Sequence, residues 1–131
     1  MGYTQYLKDQ PTIDDEQWDK IQDCASALFL QAVKDGVTLC NAFGHKDTGP
    51  IIAADCIVFN GLLDESHETC WIGRKAKDLN FCKTAQKPYD KYVVALFTIV
   101  AIITGAHFDS DGGISETREG NVLAFEILEN K

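Results

Sequence analysis

The most constraining feature of the sequence is an apolar run over residues 92–103 that contains no charged side chain. A membrane-spanning helix needs about twenty apolar residues, so this run is too short to cross a bilayer. Pro88, which suits the first turn of a helix, precedes the run, and Gly105, a typical helix terminator, follows it. The pattern predicts a helix over residues 88–104 that is buried in the core of a domain.

A second helix is predicted over residues 12–36. Acidic residues stand at its front, where the helix dipole favours negative charge, and Gly36 is placed to end it. Apolar residues recur at three- and four-residue steps and predict one buried face: Trp18, Ile21, Ala25, Leu28, Ala32 and Val33. We expect this helix to pack on the surface of a sheet.

Three stretches between the two helices are typical of strands. Residues 51–60 are largely apolar and predict a covered strand, which residues 67–72 are expected to join in a hairpin. Residues 80–85 predict a further short extended piece. Residues 44–50 contain two glycines and a proline and are predicted to form a loop.

The order of these elements predicts the fold class. We expect an α+β fold, a single two-layer domain with two main helices packed on a small antiparallel or mixed sheet. With 131 residues, the chain is long enough for one globular domain over residues 1–131 and too short for two of ordinary size. The last apolar segment is left open, because residues 122–128 keep helical spacing while Gly120 interrupts its front, so a short helix and an edge strand both fit.

Five cysteines are spread along the chain without a closely spaced pair: Cys24, Cys40, Cys56, Cys70 and Cys82. Internal disulfides alone cannot satisfy an odd number of cysteines, and their spacing matches no zinc motif. The first ten residues do not have the pattern of a secretory signal. We therefore expect a cytoplasmic protein whose thiols are mainly small buried packing residues. Only Cys82, next to Lys83, has a neighbour that favours the thiolate.

Charge is distributed unevenly. The chain carries a net charge of −8, which argues against an extended nucleic-acid surface and against binding to a membrane. Residues 74–91 are nevertheless basic, with six basic and two acidic residues, a local balance of +4 that leaves −12 on the rest of the chain. This basic segment leads into the predicted start of the long helix, where free backbone N–H groups favour an anion.

These observations predict a site for an anionic small molecule, such as a phosphate or a nucleotide, at the start of the long helix. Lys83, Thr84 and Lys87 would hold the anion, and Tyr89 would stack on the ligand or donate a hydrogen bond to it. No glycine-rich phosphate loop accompanies these residues, and a solvated loop of lysines is the alternative. The sequence indicates no particular cofactor.

His67 and Asp111 are the candidate catalytic residues, because a histidine and a carboxylate can exchange protons near neutral pH. In a strand, His67 and Glu68 would point to opposite faces and could not act together. Residues 109–112 resemble the front of a calcium loop, but Gly120 stands where the bidentate glutamate is required, so no metal site is predicted. The sequence leaves open whether the protein is an enzyme.

Several short strings occur in a fixed order along the chain: MGYT at residues 1–4, FNG at 59–61, HET at 67–69, FCKTA at 81–85, KPYD at 87–90 and SDG at 110–112. In this combination the chain resembles a family of small uncharacterised bacterial and phage proteins. The resemblance implies no activity, cofactor or partner. It does group polar strings, which suggests a site assembled from Tyr3, His67, Lys83, Tyr89, Asp90 and Asp111.

The chain also departs from the pattern of that family. Gln5 and Leu7 stand where the family pattern has a histidine and a tryptophan, and Gln86 stands where it has an arginine. A mechanism that required the early histidine would therefore not operate in this chain.

A non-catalytic function is the alternative. The acidic balance outside the basic segment includes the cluster Asp14, Asp15, Glu16 and Asp19. Such a surface is typical of an interaction protein that binds a basic partner, for example a phage inhibitor of a host or defence protein, although acidic surfaces also serve to keep proteins soluble. Weakening of a complex by salt would support this alternative.

Overall fold

The computed structural model describes residues 3–41 and 48–130. In these ranges it contains three α-helices, α1 (Asp15–Lys34), α2 (Asp90–Thr104) and α3 (Ile114–Glu129), and a short 3-10 helix, Leu63–Glu65. The strands are β1 (Thr4–Gln10), β2 (Leu39–Cys40), β3 (Ile51–Ile52), β4 (Cys56–Gly61), β5 (Cys70–Gly73), β6 (Lys77–Lys83) and β7 (His107–Ser110). The predicted α+β class is confirmed, with a third helix added. Most of the loop predicted over residues 44–50 lies outside the described residues.

The strands form two antiparallel sheets. β1 is the central strand of a three-stranded sheet, with β6 on one side and β7 on the other. Since β6 and β7 are both antiparallel to β1, they are parallel to each other, and the long helix α2 connects them across the central strand. In the second sheet β4 pairs with β2, β3 and β5.

The two sheets meet where β5 runs beside β6. The backbone N–H of Glu68 donates to the carbonyl of Lys83 over 3.0 Å. Two residues into β5, the carbonyl of Trp71 accepts a hydrogen bond of 2.6 Å from the side-chain amide of Asn80. The end of β6 is therefore held on one side by β1 and on the other by the segment that leads into β5.

The sequence locates α1 well because its signals are local. Asp14 is the N-cap: its carboxylate accepts a hydrogen bond of 2.7 Å from the N–H of Gln17, and the Gln17 side chain accepts one from the N–H of Asp14. Five of the six residues predicted for the apolar face are buried. Val33 is the exception, 74% exposed, because it follows Ala32 directly and is rotated by about 100° from it around the helix.

The long helix α2 is the buried helix that the sequence predicts. Residues 92–100 are all buried, and the helix packs on β1 and β7 and against α1 and α3. Gly105 ends it with a φ of +87°, a conformation that other residues rarely adopt. In the described ranges, no helix combines the length and the apolar character needed to cross a membrane. The predicted two-layer arrangement stays a prediction.

The strand predicted over residues 51–60 is divided. The chain turns back between β3 and β4, where the N–H of Ala53 donates to the carbonyl of Cys56, and the two strands pair with each other. Asp55, the only charged residue of this stretch, lies in that turn. The predicted hairpin of β4 with the following strand is confirmed.

The remaining strand and helix boundaries also differ from those predicted. β5 begins only at Cys70, so His67 precedes the strand and the face assigned to it from strand geometry does not apply. β6 begins at Lys77, three residues earlier than expected. The last apolar segment belongs to the helix α3, and Gly120 lies buried within it rather than interrupting it.

Candidate functional site

A buried hydrogen-bonded cluster occupies the start of α2. The Asp90 carboxylate accepts hydrogen bonds from the hydroxyl of Thr84 and, over 2.8 Å, from the side-chain amide of Gln5. All three side chains are buried. Burial raises the pKa of Asp90, and the bonds from Thr84 and Gln5 act in the opposite direction. The cluster holds the helix start against β1 through the Gln5 side chain.

Tyr89 is completely buried beside this cluster. Its hydroxyl donates to the carbonyl oxygen of Glu68 over 2.6 Å and lies 3.4 Å from that of Lys83. Burial raises the pKa of the hydroxyl, so it remains a donor at neutral pH. Tyr89 therefore braces the junction of the two sheets and is not positioned to stack on a ligand.

The helix start itself is poorly suited to an anion. The N–H of Asp90 donates to the carbonyl of Lys87, and the N–H of Val93 donates to that of Tyr89. The Asp90 carboxylate already lies where the helix dipole would attract negative charge. Three of the residues predicted at the helix start therefore have buried structural roles: Thr84, Tyr89 and Asp90. Of the residues predicted there, Lys87 is the one that remains for contact with a ligand, and it is half-buried.

Asp111 and Tyr3 lie at the same end of the three-stranded sheet as this cluster. One oxygen of the exposed Asp111 carboxylate accepts a hydrogen bond of 3.0 Å from the N–H of Thr4, and the other accepts one of 3.1 Å from the hydroxyl of Tyr6. The hydroxyl of Tyr3 is buried against Gly112, where an added Cβ would lie only 2.1 Å from it. Both residues shape the turn that leads from β7 into α3.

His67 is exposed in the loop before β5. Asn60 holds its backbone, accepting a hydrogen bond of 3.1 Å from the His67 N–H and donating one of 2.9 Å to its carbonyl. Within residues 3–41 and 48–130, no hydrogen bond joins His67 to Asp111. The two candidate catalytic residues therefore do not form the paired acid and base that general acid–base catalysis would use.

Lys83 belongs to a different surface, the outer face of β6. This face carries four exposed residues of the strand, Lys77, Leu79, Phe81 and Lys83. The intervening Asn80 and Cys82 are buried, whereas Asp78 is exposed. Leu79 is 46% exposed and Phe81 is 43% exposed. The Lys83 ammonium lies 5.9 Å from the centre of the Phe81 ring, within the range of a cation–π contact.

β1 and β7 extend this outer face. Tyr6 is the register partner of Phe81, and Lys8 is the register partner of Leu79 on one side and of His107 on the other. The Lys8 ammonium lies 5.7 Å from the centre of the Tyr6 ring. We call the surface formed by these side chains the aromatic–basic face: Tyr6, Lys8, Lys77, Leu79, Phe81, Lys83 and His107.

Two of the lysines on the aromatic–basic face lack an acidic partner. Lys8 forms an ion pair of 3.0 Å with Asp109. No carboxylate in the described part of the chain lies within ion-pair distance of Lys77 or Lys83. An anionic group that binds these two lysines therefore displaces no carboxylate.

Sequence reasoning found Lys83 but missed its neighbours on this face. The signal was present, because Lys77, Leu79, Phe81 and Lys83 alternate with Asp78, Asn80 and Cys82 at the two-residue period of a strand. The sequence-based strand began only at residue 80, which concealed the alternation. Apolar side chains such as Leu79 and Phe81 are also expected to face a core rather than solvent.

A cavity of about 320 Å³ also lies beside Pro88 and Tyr89. Its other described lining residues come from two segments, residues 36–38 and residues 61–65: Gly36, Val37, Thr38, Gly61, Leu62 and Glu65. None of the described lining residues is a lysine or an arginine, and Glu65 adds negative charge. This cavity does not suit an anionic ligand.

Metal ligands and similar proteins offer no further assignment. Within the described ranges, no group of three or more His, Cys, Asp or Glu side chains is arranged to hold a metal ion. Comparisons of the chain with protein-family models, with curated proteins and with solved structures returned no match. The resemblance to a family of bacterial and phage proteins stays a prediction.

Proposed function

We propose that the protein binds a nucleotide-type ligand, an aromatic ring joined to an anionic group, on the aromatic–basic face. The observation that carries the proposal is Phe81, exposed in the middle of β6 with the unpaired ammonium of Lys83 beside its ring. A nucleobase that stacks on an exposed aromatic ring gains about 1–3 kcal/mol. A phosphate attached to that base would meet the lysine next to the ring.

The surroundings of Phe81 support binding because they hold the strand in place. Lys83 is fixed on one side by Glu68, whose carboxylate accepts a hydrogen bond of 3.1 Å from the Lys83 N–H. On the other side β1 places Tyr6 directly opposite Phe81, and the Tyr6 hydroxyl is anchored on Asp111. A rigid face loses little conformational entropy when a ligand binds, which favours affinity.

The proposal assigns new tasks to the residues predicted from the sequence. Lys83 contacts the anionic group. Thr84, Tyr89 and Asp90 hold the end of β6 in position. His67 and Asp111 receive no catalytic role, so the proposal is of a binding protein and specifies no reaction. A cytoplasmic location belongs to the same proposal and is supported by cysteines that are free rather than disulfide-bonded.

The acidic interaction surface remains a less favoured alternative. Asp14 caps α1, and Asp15 forms an ion pair with Arg74. Two members of the acidic cluster therefore already have structural partners, which leaves fewer charges for a basic partner protein.

Calorimetric titration with adenosine monophosphate and with inorganic phosphate tests the proposal. We expect the nucleotide to bind more tightly than phosphate, because only the nucleotide can stack. Phe81→Ala should weaken nucleotide binding by about 5- to 150-fold, the equivalent of one stacked base. Lys83→Gln should weaken it by about two- to fivefold, as for an exposed ion pair.

Phe125→Ala is the matched control, because Phe125 is also an exposed phenylalanine but lies on α3. Its variant should bind the nucleotide as the wild type does. Equal affinity for nucleotide and phosphate, or unchanged nucleotide binding by Phe81→Ala, would show that no base stacks on this face.

A further inference from the structure

We propose that the aromatic–basic face extends to Trp71 and takes a single-stranded oligonucleotide, with Phe81 and Trp71 stacking on different bases. The inference rests on the proposed function for the first base, at Phe81. It adds a second stacking position and a polymeric ligand.

Trp71 adjoins the aromatic–basic face through Lys77, whose ammonium lies 5.2 Å from the centre of the Trp71 ring. The thiols of Cys70 and Cys82 are buried in the core and contact each other across the junction of β5 and β6. Side chains alternate along a strand, so Trp71, which follows Cys70, and Phe81, which precedes Cys82, both point outward. The hydrogen bond from Asn80 to the Trp71 carbonyl keeps the two strands adjacent at this level.

The Trp71 ring is presented in a way that suits a base. It is 42% exposed and lies over Gly73, where an added Cβ would come within 2.2 Å of the ring. A larger residue at this position would clash with the ring. Over the ring lies the ammonium of Lys77, 5.2 Å from the ring centre. A base can replace this exposed ammonium, which then becomes available to the adjoining phosphate.

The spacing of the lysines favours a ligand longer than one nucleotide. Lys77 and Lys83 stand at the two ends of β6, and a strand of this length spans about 20 Å. Leu79, Phe81 and Tyr6 lie between them as a continuous apolar surface. Positive charge at both ends and rings between them match a strand of alternating phosphates and bases.

The distribution of charge favours binding of a polyanion at this face, and the exposed rings favour a single strand over a duplex. The face carries Lys8, Lys77 and Lys83, with Asp109 and Asp111 at its β7 edge. The rest of the chain is acidic overall, which repels a polyanion from the other surfaces. A duplex would bury its bases in its own stack and leave Phe81 and Trp71 unused. An acidic peptide would engage the lysines but would not need the rings.

Fluorescence anisotropy with labelled adenylate strands of one, two, four and eight nucleotides tests the inference. We expect the affinity to rise by about tenfold or more between one and four nucleotides as the second base is stacked. Trp71→Ala should abolish this gain, and Trp71→Phe should retain part of it. Phe81→Ala should weaken binding at every length.

Competition with an unlabelled duplex of eight base pairs and with polyglutamate completes the experiment, and both are expected to compete poorly. If the mononucleotide binds but the affinity does not rise with strand length, the oligonucleotide inference is wrong and the proposed function stands. Absence of binding at every length would overturn both. If polyglutamate competes as well as the unlabelled single strand, the ligand of this face is an acidic protein segment and the nucleic-acid inference is wrong. Thermal unfolding of each variant verifies that it is folded.

Discussion

Asp90 and Asp35 have carboxyl groups whose pKa values move in opposite directions. Burial raises the pKa of Asp90. A hydrogen bond from the Tyr92 hydroxyl, followed by one from Gln31, lowers the pKa of Asp35. A raised native pKa stabilises the fold at low pH and loses that effect as the pH rises through the native value. A lowered native pKa stabilises the fold above the unfolded value and loses that effect as the pH falls.

Asparagine substitutions should therefore reveal opposite pH dependences. Relative to Asp90→Asn, the wild type should lose stability as the pH rises above about 4, the ordinary pKa of an aspartate. Relative to Asp35→Asn, the wild type should lose stability as the pH falls below about 4. Thermal unfolding at a series of pH values measures both differences. If the stability difference between wild type and variant changed with pH in the same direction for both substitutions, the environments assigned to these carboxyl groups would be wrong.

Contacts distant in sequence explain why the roles of the site residues were not predicted. The resemblance grouped Asp90 with other polar residues, and the sequence placed it at a helix start. Nothing local indicates that Gln5, 85 positions away, donates to its carboxylate. That contact exists only because α2 packs on β1, so the sequence suggested an exposed anion site where the structure has a buried cluster.

At the scale of elements, α2 and α3 are in close contact at Gly120. An added Cβ would lie 2.6 Å from the side chain of Val94 and 2.8 Å from the carbonyl oxygen of Lys91. Alanine favours an isolated helix by about 1 kcal/mol over glycine, but overpacking a core costs about 1–3 kcal/mol. A branched side chain and a helix backbone cannot move aside easily. We expect Gly120→Ala to lower the free energy of unfolding by about 1–2 kcal/mol, measured by urea denaturation.

Glu119→Ala provides the control for this substitution, since Glu119 is exposed on the same helix. It should change the free energy of unfolding by less than about 0.5 kcal/mol. An increase in stability in Gly120→Ala, as in an exposed helix, would mean that the two helices are not in close contact there.

Elements with local signals were predicted better than those whose environment depends on distant neighbours. The helix α1 has a capping residue and a periodic face within its own sequence, and it was located within a few residues. The strand β6 has no such local marker. Whether Phe81 faces solvent or core depends on which side of the sheet the helices cover, and the sequence of β6 does not contain that information.

For the whole molecule, the separation of charge has a measurable effect on binding. If Lys77 and Lys83 each neutralise one phosphate, the logarithm of the binding constant should fall with the logarithm of salt concentration with a slope of about −1.4. Raising the salt from about 50 to about 200 mM should then weaken binding of an eight-nucleotide strand about sevenfold. Anisotropy titrations at several salt concentrations measure this slope.

Lysine variants separate the face from the rest of the surface. Lys77→Gln and Lys83→Gln should each reduce the slope by about 0.7. Lys20→Gln, on the exposed side of α1, should leave the slope unchanged. Equal effects of all three substitutions would mean that the net charge of the protein, and not this face, sets the salt dependence.

The central position of β1 also has a consequence for the order of folding. Thr4 pairs with Lys83 in β6, and Gln5 pairs with Ser110 in β7. Both neighbouring strands are therefore translated long after β1. During synthesis β1 has two open edges until most of the chain has been translated, and pairings this distant in sequence slow folding. The central strand β1 is therefore translated before both of its neighbours and pairs with them late in folding.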